Sequence, residues 1–268
     1  MSRLIEFTKM EGAGNDYIYV DVSRFPIEDP AALSVRLSDR HFGIGADGLV
    51  LIGPSDTADF SMRMFNADGS EGLMCGNASR CIGKYLWDKG LTKAQTITLQ
   101  TASGPRSLLV RPGPDGLAES VTVGMGGYRI VERELEIEAG GSTFKGTVVD
   151  VGNPHFVIPV PDAEAVDLPT VGPLIENHPA FPGRINAEFV SQKAPGQLRM
   201  RVWERGSGIT LACGTGACAT AAAWAGEAGG VFKLECDGGT LEIEVDPSGN
   251  GILLSGPARI AFEGTVEI

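Results

Sequence analysis

The sequence predicts an α+β protein of two pseudo-symmetric mixed α/β domains, each a curved, mostly antiparallel sheet around a central helix. Three observations carry that prediction. Segments of the first half recur in the second at one fixed offset. Both halves run through the same order of strand-like and helix-like segments. A Cys-Gly pair opens a helix-like segment in each half, MCGNASRC at 74–81 and LACGTGAC at 211–218.

The offset is 138 positions, the separation of Cys75 from Cys213. Asn15 in GAGNDY and Asn153 in DVGNPH repeat it, as do Met62-Arg63 in SMRMFNAD and Met200-Arg201 in RMRVWERG. Phe65 then aligns with Trp203 and Asn66 with Glu204. Three segments on one spacing, with no gap adjustment, mark an internal duplication.

Each element follows from local pattern. LIEFTKM and FKGTVVDV read as strands before a Gly-Asn turn, and YIYVDV and FVIPV as strands after it. DPAALSVRLSDR reads as a helix, and LPTVGPLIEN as a weaker one. LVLIG and DFSMRMF, then NAEFVSQ and LRMRVWE, are strands. The cysteine helices follow, ASRCIGKYLWDKG and GACATAAAWAGEAG, with Gly90 and Gly229 as their expected stops. Alternating strands finish each half: TITLQTA and RSLLVRP, then FKLECDG, TLEIEVD and ILLSG. PGPDG marks a turn at the expected boundary near Pro112–Ser120. The expected domains are 1–120, with 257–268 returning to it, and 121–256.

Length and composition agree. The chain has 268 residues, enough for two domains of about 100–150 residues. Its net charge of −12 argues against nucleic acid or an anionic membrane as partner and leaves a small-molecule substrate open. MSRLIEFTKM has no apolar leader core, and no apolar run reaches the roughly 18–20 residues of a membrane span. The expectation is a soluble cytoplasmic protein. Five cysteines without a C-x-x-C fit neither a disulfide framework nor a structural zinc site, so no metal is expected. GIGADG at 43–48 fits a dinucleotide-binding pattern but stands after a helix and before a strand, the reverse of the order that pattern needs. It reads as a tight helix-to-strand turn.

The cysteines carry the chemistry. The first turn of a helix has unpaired N–H groups and partial positive charge, which favours thiolate, the reactive form. A glycine after the cysteine lets a carboxylate approach the N–H groups of Gly76 and Asn77, or of Gly214 and Thr215. Two such sites related by a repeat suit stereoinversion at carbon: one thiolate removes a proton and a thiol on the other face delivers one. An amino acid is the natural substrate, because the helix ends stabilise the charge that develops on its carboxylate. No lysine context for pyridoxal phosphate is evident, so no cofactor is expected. Cys81, Cys218 and Cys236 read as small buried hydrophobes, and His41 and His178 as surface or packing residues. A redox or metal-binding protein using the cysteine pair, and a catalytically dead binding module, remain open on the residues alone.

GAGNDY, HFGIGADGL, NADGSE followed by CGN, GNPH, INAEF, ERGSG and ACGTGACA run in that order along the whole chain and resemble the diaminopimelate epimerase family. The resemblance implies a cofactor-independent epimerase interconverting LL- and meso-diaminopimelate for lysine and peptidoglycan synthesis, often a homodimer. It implies Cys75 and Cys213 as the acid/base thiols. Gly76, Asn77, Gly214 and Thr215 would hold the carboxylate at the reacting centre. Asn15, Asn66, Asn153, Asn186 and Arg205 would read the rest of the substrate. His155 and Glu204 would tune or orient the thiols, Glu204 also lying at the substrate. Amides suit a ligand with two carboxylates and two ammonium groups, since they both donate and accept. The chain departs from the family at Ala78 and Gly183, and at Ile209, where an acid is usual and where the 138 offset places Glu71. Ile209 keeps open a racemase of the same fold acting on another amino acid.

Overall fold

The computed structural model describes residues 3–268. The chain divides into two compact units, Met1–Val123 with Gly256–Ile268, and Gly124–Ser255.

The first unit runs β1 (Leu4–Gly12), β2 (Asn15–Asp21), α1 (Pro30–Ser38), β3 (Gly48–Gly53), β4 (Phe60–Asn66), β5 (Glu71–Gly72), α2 (Gly76–Asp88), β6 (Thr96–Thr101), β7 (Gly104–Pro112) and β8 (Ala118–Gly126), whose last residues enter the second unit. The second continues with β9 (Arg129–Ala139), β10 (Ser142–Asp150), β11 (Pro154–Pro159), α3 (Leu168–Glu176), β12 (Asn186–Ala194), β13 (Gln197–Glu204), β14 (Gly208–Ile209), α4 (Gly214–Ala225), β15 (Gly230–Cys236), β16 (Gly239–Val245) and β17 (Ile252–Gly256). The last strand, β18 (Arg259–Glu267), pairs antiparallel with β1, as β9 pairs with β10.

Within the first unit, β1 pairs with β2, β2 with β3 in parallel, β3 with β4, and β4 with β5 and, in parallel, with β6; β6 and β7, then β7 and β8, follow as antiparallel pairs. β3 is buried along all six residues because both its faces are covered. Leu49 and Leu51 join the core under α1 with Ile5, Phe7, Ile18, Leu33, Leu37 and Phe65. Val50 and Ile52 are buried on the opposite face, by the two-residue period of a strand. α2 packs on β1, β2 and β7.

The second unit repeats this. Tyr17 faces Gly48 across β2 and β3, and His155 faces Asn186 across β11 and β12, the same register after a shift of 138. β12–β13 and β13–β14 keep it too. Past α4 the connection is shorter and the shift falls to 135, so that Thr101–Gly104 corresponds to Cys236–Gly239. One turn differs. Ala13 and Gly14, at φ 55° and 83°, make a two-residue hairpin between β1 and β2. In the second unit three residues, Val151 to Asn153, join β10 to β11, so Asn153 lies in the turn where Asn15 lies in a strand.

The sequence left β8 and β9 unassigned, and placed the stop of α4 too late. α2 is followed by Gly90 at φ 68°, but α4 ends at Gly226, φ 59°, rather than at Gly229. Gly226, with φ 59° and ψ −140°, takes an extended conformation of positive φ that glycine alone adopts freely. Gly229 instead leads into β15. GIGADG forms the turn from α1 to β3. Among the described residues, no helix is long and apolar enough to cross a membrane.

Candidate active site

Cys75 and Cys213 are the N-caps of α2 and α4, each with extended backbone. Gly76 and Asn77, and Gly214 and Thr215, open the helices, where the backbone ladder from each N–H to the carbonyl four residues back has not yet begun.

In the first unit, Cys75 is half-buried and its thiol donates to Asn15 Oδ1 at 3.4 Å. Asn15 is oriented from behind: its Nδ2 donates to Asp47 Oδ2 at 2.7 Å, and that oxygen also accepts the Asp16 N–H at 3.1 Å. Arg40 bonds both Asp16 and Asp47, and Lys9 pairs with Asp16 at 2.6 Å. Burial alone would raise the Asp16 pKa, but the hydrogen bonds from Arg40 and Lys9 outweigh it and hold the carboxyl below the usual range. Asn77 is buried in the first turn of α2. Asn66 ends β4, and its amide nitrogen donates to Ser70 Oγ at 2.9 Å rather than to the thiol.

In the second unit the contacts are denser. Cys213 is buried, and its sulfur accepts the Gly216 N–H at 3.3 Å, the role of an N-cap oxygen. Thr215 Oγ1 lies 3.4 Å from that sulfur, and Asn153 Nδ2 lies 3.5 Å from Thr215 Oγ1. Asn153 Oδ1 is 3.0 Å from His155 Nε2, and His155 Nδ1 is 2.6 Å from Glu188 Oε1. Burial first, then the charges of Glu204 and Glu188, push the Cys213 thiol well above its ordinary value, against the smaller pull of Thr215 and Gly216. Burial likewise raises the pKa of Glu204, opposed by hydrogen bonds from Thr210, at 2.5 Å, and from Cys213. Asn186 is fixed at both ends, its Nδ2 on Pro154 O at 2.8 Å and its Oδ1 on the Arg205 N–H at 2.9 Å. The Arg205 side chain is exposed and reaches Gly183 O at 3.0 Å.

The structure thus joins Asn15 to Cys75, and joins Thr215, Asn153, His155 and Glu204 to Cys213. Asn66 makes no such contact, and Asn186 and Arg205 bind each other. Ile209 removes no helix cap. In the first unit Glu71 is not at the helix end but bonds Arg63 on β4 through both its oxygens, at 2.8 and 3.0 Å. Arg201, equivalent to Arg63, turns to the carbonyls of Ala163 and Val166. Asp47 and Glu188 went unnoticed in the sequence. The signal for Glu188 was an acid two residues after Asn186, in a strand otherwise reading as core. Among the described residues, no three His, Cys, Asp or Glu side chains gather as a metal site would need.

The class comes first from the fold. Over 98% of this chain and 99% of the other, it matches a Bacillus anthracis phenazine biosynthesis protein of the PhzF family with a TM-score of 0.76 at 16% identity. Over 99% of this chain and 91% of the other, it matches a hydroxyproline epimerase from Agrobacterium vitis at 0.69 and 17%. The fold is the one these proteins share. Within it, the family model described as diaminopimelate epimerase matches residues 7–131 and 147–261. A diaminopimelate epimerase of Parabacteroides distasonis is 53% identical over the full length of both chains. The chain belongs to the diaminopimelate epimerase family and is an isomerase.

Proposed function

We propose that this protein interconverts LL- and meso-diaminopimelate by a two-base thiol mechanism. The observation that carries the reading is the repeated one: each unit places a cysteine and then a glycine at the head of a helix, the end whose dipole favours a carboxylate. One of Cys75 and Cys213, as thiolate, takes the α-proton. The other, as thiol, gives its proton to the opposite face of the carbon, and the two residues exchange protonation states. The N–H groups of Gly76, Asn77, Gly214 and Thr215 stabilise the charge that develops on the α-carboxylate. Asn15 orients Cys75; Thr215 and Glu204 act at Cys213, with His155 behind Asn153. Asn66, Asn153, Asn186, Glu204 and Arg205 meet the remainder of the substrate, with Arg205 suited to a carboxylate. No cofactor enters this scheme. Five cysteines, an odd number with no C-x-x-C, support a reducing, cytoplasmic setting. A homodimer is what the resemblance to the family implies for the assembly.

Incubation in D₂O with LL-diaminopimelate tests the reading. It should place deuterium at one α-carbon and yield the meso isomer. Cys75→Ala and Cys213→Ala should each lower turnover by about 10²–10⁴-fold, the usual worth of a positioned acid or base. Label appearing only with a different amino acid would move the activity to that substrate. Near-normal turnover in either variant would end the two-base scheme.

A further inference from the structure

β12 is buried from Asn186 through Ser191, an environment in which a carboxylate is costly. Glu188 stands in the middle of that run with its side chain wholly buried. Its Oε1 is 2.6 Å from His155 Nδ1, and its Oε2 is buried with no hydrogen-bond partner. The same carboxylate lies against the first turn of α4: a Cβ at Gly216 would come within 2.7 Å of Oε1. The duplication supplies a control. At the positions equivalent to His155 and Glu188, the first unit has Tyr17 and Val50, both buried. The fold does not need an acid there. The pair occurs only in the unit that carries Cys213.

A buried polar atom left unmatched loses its bonds to water and gains none in return. Such groups concentrate where function requires them. Each ring nitrogen of a histidine takes the role, donor or acceptor, that the group facing it allows. Glu188 Oε1 and Asn153 Oδ1 both only accept, so the ring bonds both by donating from Nδ1 to Glu188 and from Nε2 to Asn153. That contact turns the Asn153 amide nitrogen toward Thr215 Oγ1, which lies beside the Cys213 sulfur.

We propose that Glu188 is a positioning residue for Cys213. By accepting the Nδ1 proton of His155 it fixes the proton arrangement and tilt of the ring, and through Asn153 and Thr215 it sets the groups around the thiol. This rests on the proposed role of Cys213 as an acid/base thiol.

The test combines a spectrum with kinetics. The chain has three histidines, so ¹⁵N-labelled imidazoles give a spectrum simple enough to assign. The wild-type protein should show a slowly exchanging proton on His155 Nδ1. Glu188→Leu, which restores an aliphatic side chain like the first unit's Val50, should lose that proton. It should also lower kcat for LL-diaminopimelate by about 10²-fold while leaving KM within about threefold, because the reacting groups are misplaced and the ligand contacts kept. Glu188→Gln still offers an oxygen to Nδ1, and should keep the proton and restore kcat to within about tenfold of wild type. An unprotonated Nδ1 in the wild type would overturn the proposal, whether or not Glu188→Leu folds. So would a folded Glu188→Leu with wild-type kcat. The spectrum needs no turnover. If no α-proton of diaminopimelate exchanges even in the wild type, the functional reading has failed, and the Nδ1 result still decides the role of Glu188 in holding the ring.

Discussion

Gly216 shows how closely the Cys213 site is packed. A methyl group there would stand 2.7 Å from Glu188 Oε1 and 3.2 Å from Cys213 Cβ. Its backbone needs no left-handed conformation, so the demand for glycine is steric. Alanine would gain about 1 kcal/mol of helix propensity. Overpacking works against that by about 1–3 kcal/mol, since neither the buried carboxylate nor the capping cysteine can yield freely. Gly216→Ala should therefore unfold at lower urea concentration than wild type and lose activity. Gly183→Ala, where a Cβ meets open space, should change stability by less than about 0.5 kcal/mol. Equal effects of the two on the unfolding midpoint would refute the steric account. The two cysteines also differ in setting. Cys75 is half-buried and bonded to an amide oxygen, whereas Cys213 is buried among carboxylates. A duplicated helix start has been given two electrostatic surroundings by substitutions on the strands behind it.

Among the elements, α2 depends on a glycine facing a strand. A Cβ at Gly83 would fall 2.7 Å from Val121 Cγ1 on β8. Valine is stiff at χ1 and Val121 is fully buried, so it cannot swing aside. Gly83→Ala should cost about 1–3 kcal/mol despite its better helix propensity. Val121→Ala alone should cost about 2 kcal/mol by leaving a cavity. The double variant should be more stable than the sum by at least about 1 kcal/mol, as residues in contact couple. Additivity in urea unfolding would show that the helix and strand do not meet as described. The legibility of the elements follows the same physics. β3 and β12 were readable as strands because both faces are buried and the run is apolar. β6, β7 and β16 alternate, as half-buried strands do. β9 escaped notice because RIVERELEIEA is largely exposed over its first half and rich in Glu, and β8 because Gly124, Gly126 and Gly127 resemble a linker. The cysteine helices were readable from the repeat. Glu188 was not, because its meaning lies in His155, 33 residues away in sequence and met only through the parallel pairing of β11 and β12.

At the scale of the whole molecule, burial of thiols and phenols sets a limit on alkaline stability. Burial pushes Cys81 and Tyr85 each up to about 12, and Cys213 and Tyr19 well above their ordinary values. In the unfolded chain the cysteines ionise near 9 and the tyrosines near 10. Below pH 9 both states hold these protons, and the stability is fully present. Above pH 9 the unfolded chain releases the protons of Cys81 and Cys213 while the folded chain keeps them, so unfolding becomes more favourable. Each withheld proton costs about 1.4 kcal/mol per pH unit, and the tyrosines add to the slope from about pH 10. The loss from Cys81 and Tyr85 levels off only near pH 12, where they ionise in the folded state as well. Lysine deprotonation also acts in this range, on a chain already at net charge −12, so the slope of the wild type alone does not isolate the buried groups. A variant does. Cys81→Ala removes one thiol of the four groups without touching the sites proposed for the substrate. Between pH 8 and 10.5 its stability in urea should fall less steeply than that of wild type, by about 1.4 kcal/mol per pH unit above 9. Parallel curves for the two proteins would mean that Cys81 ionises alike in both states, and that its burial places no limit on the fold.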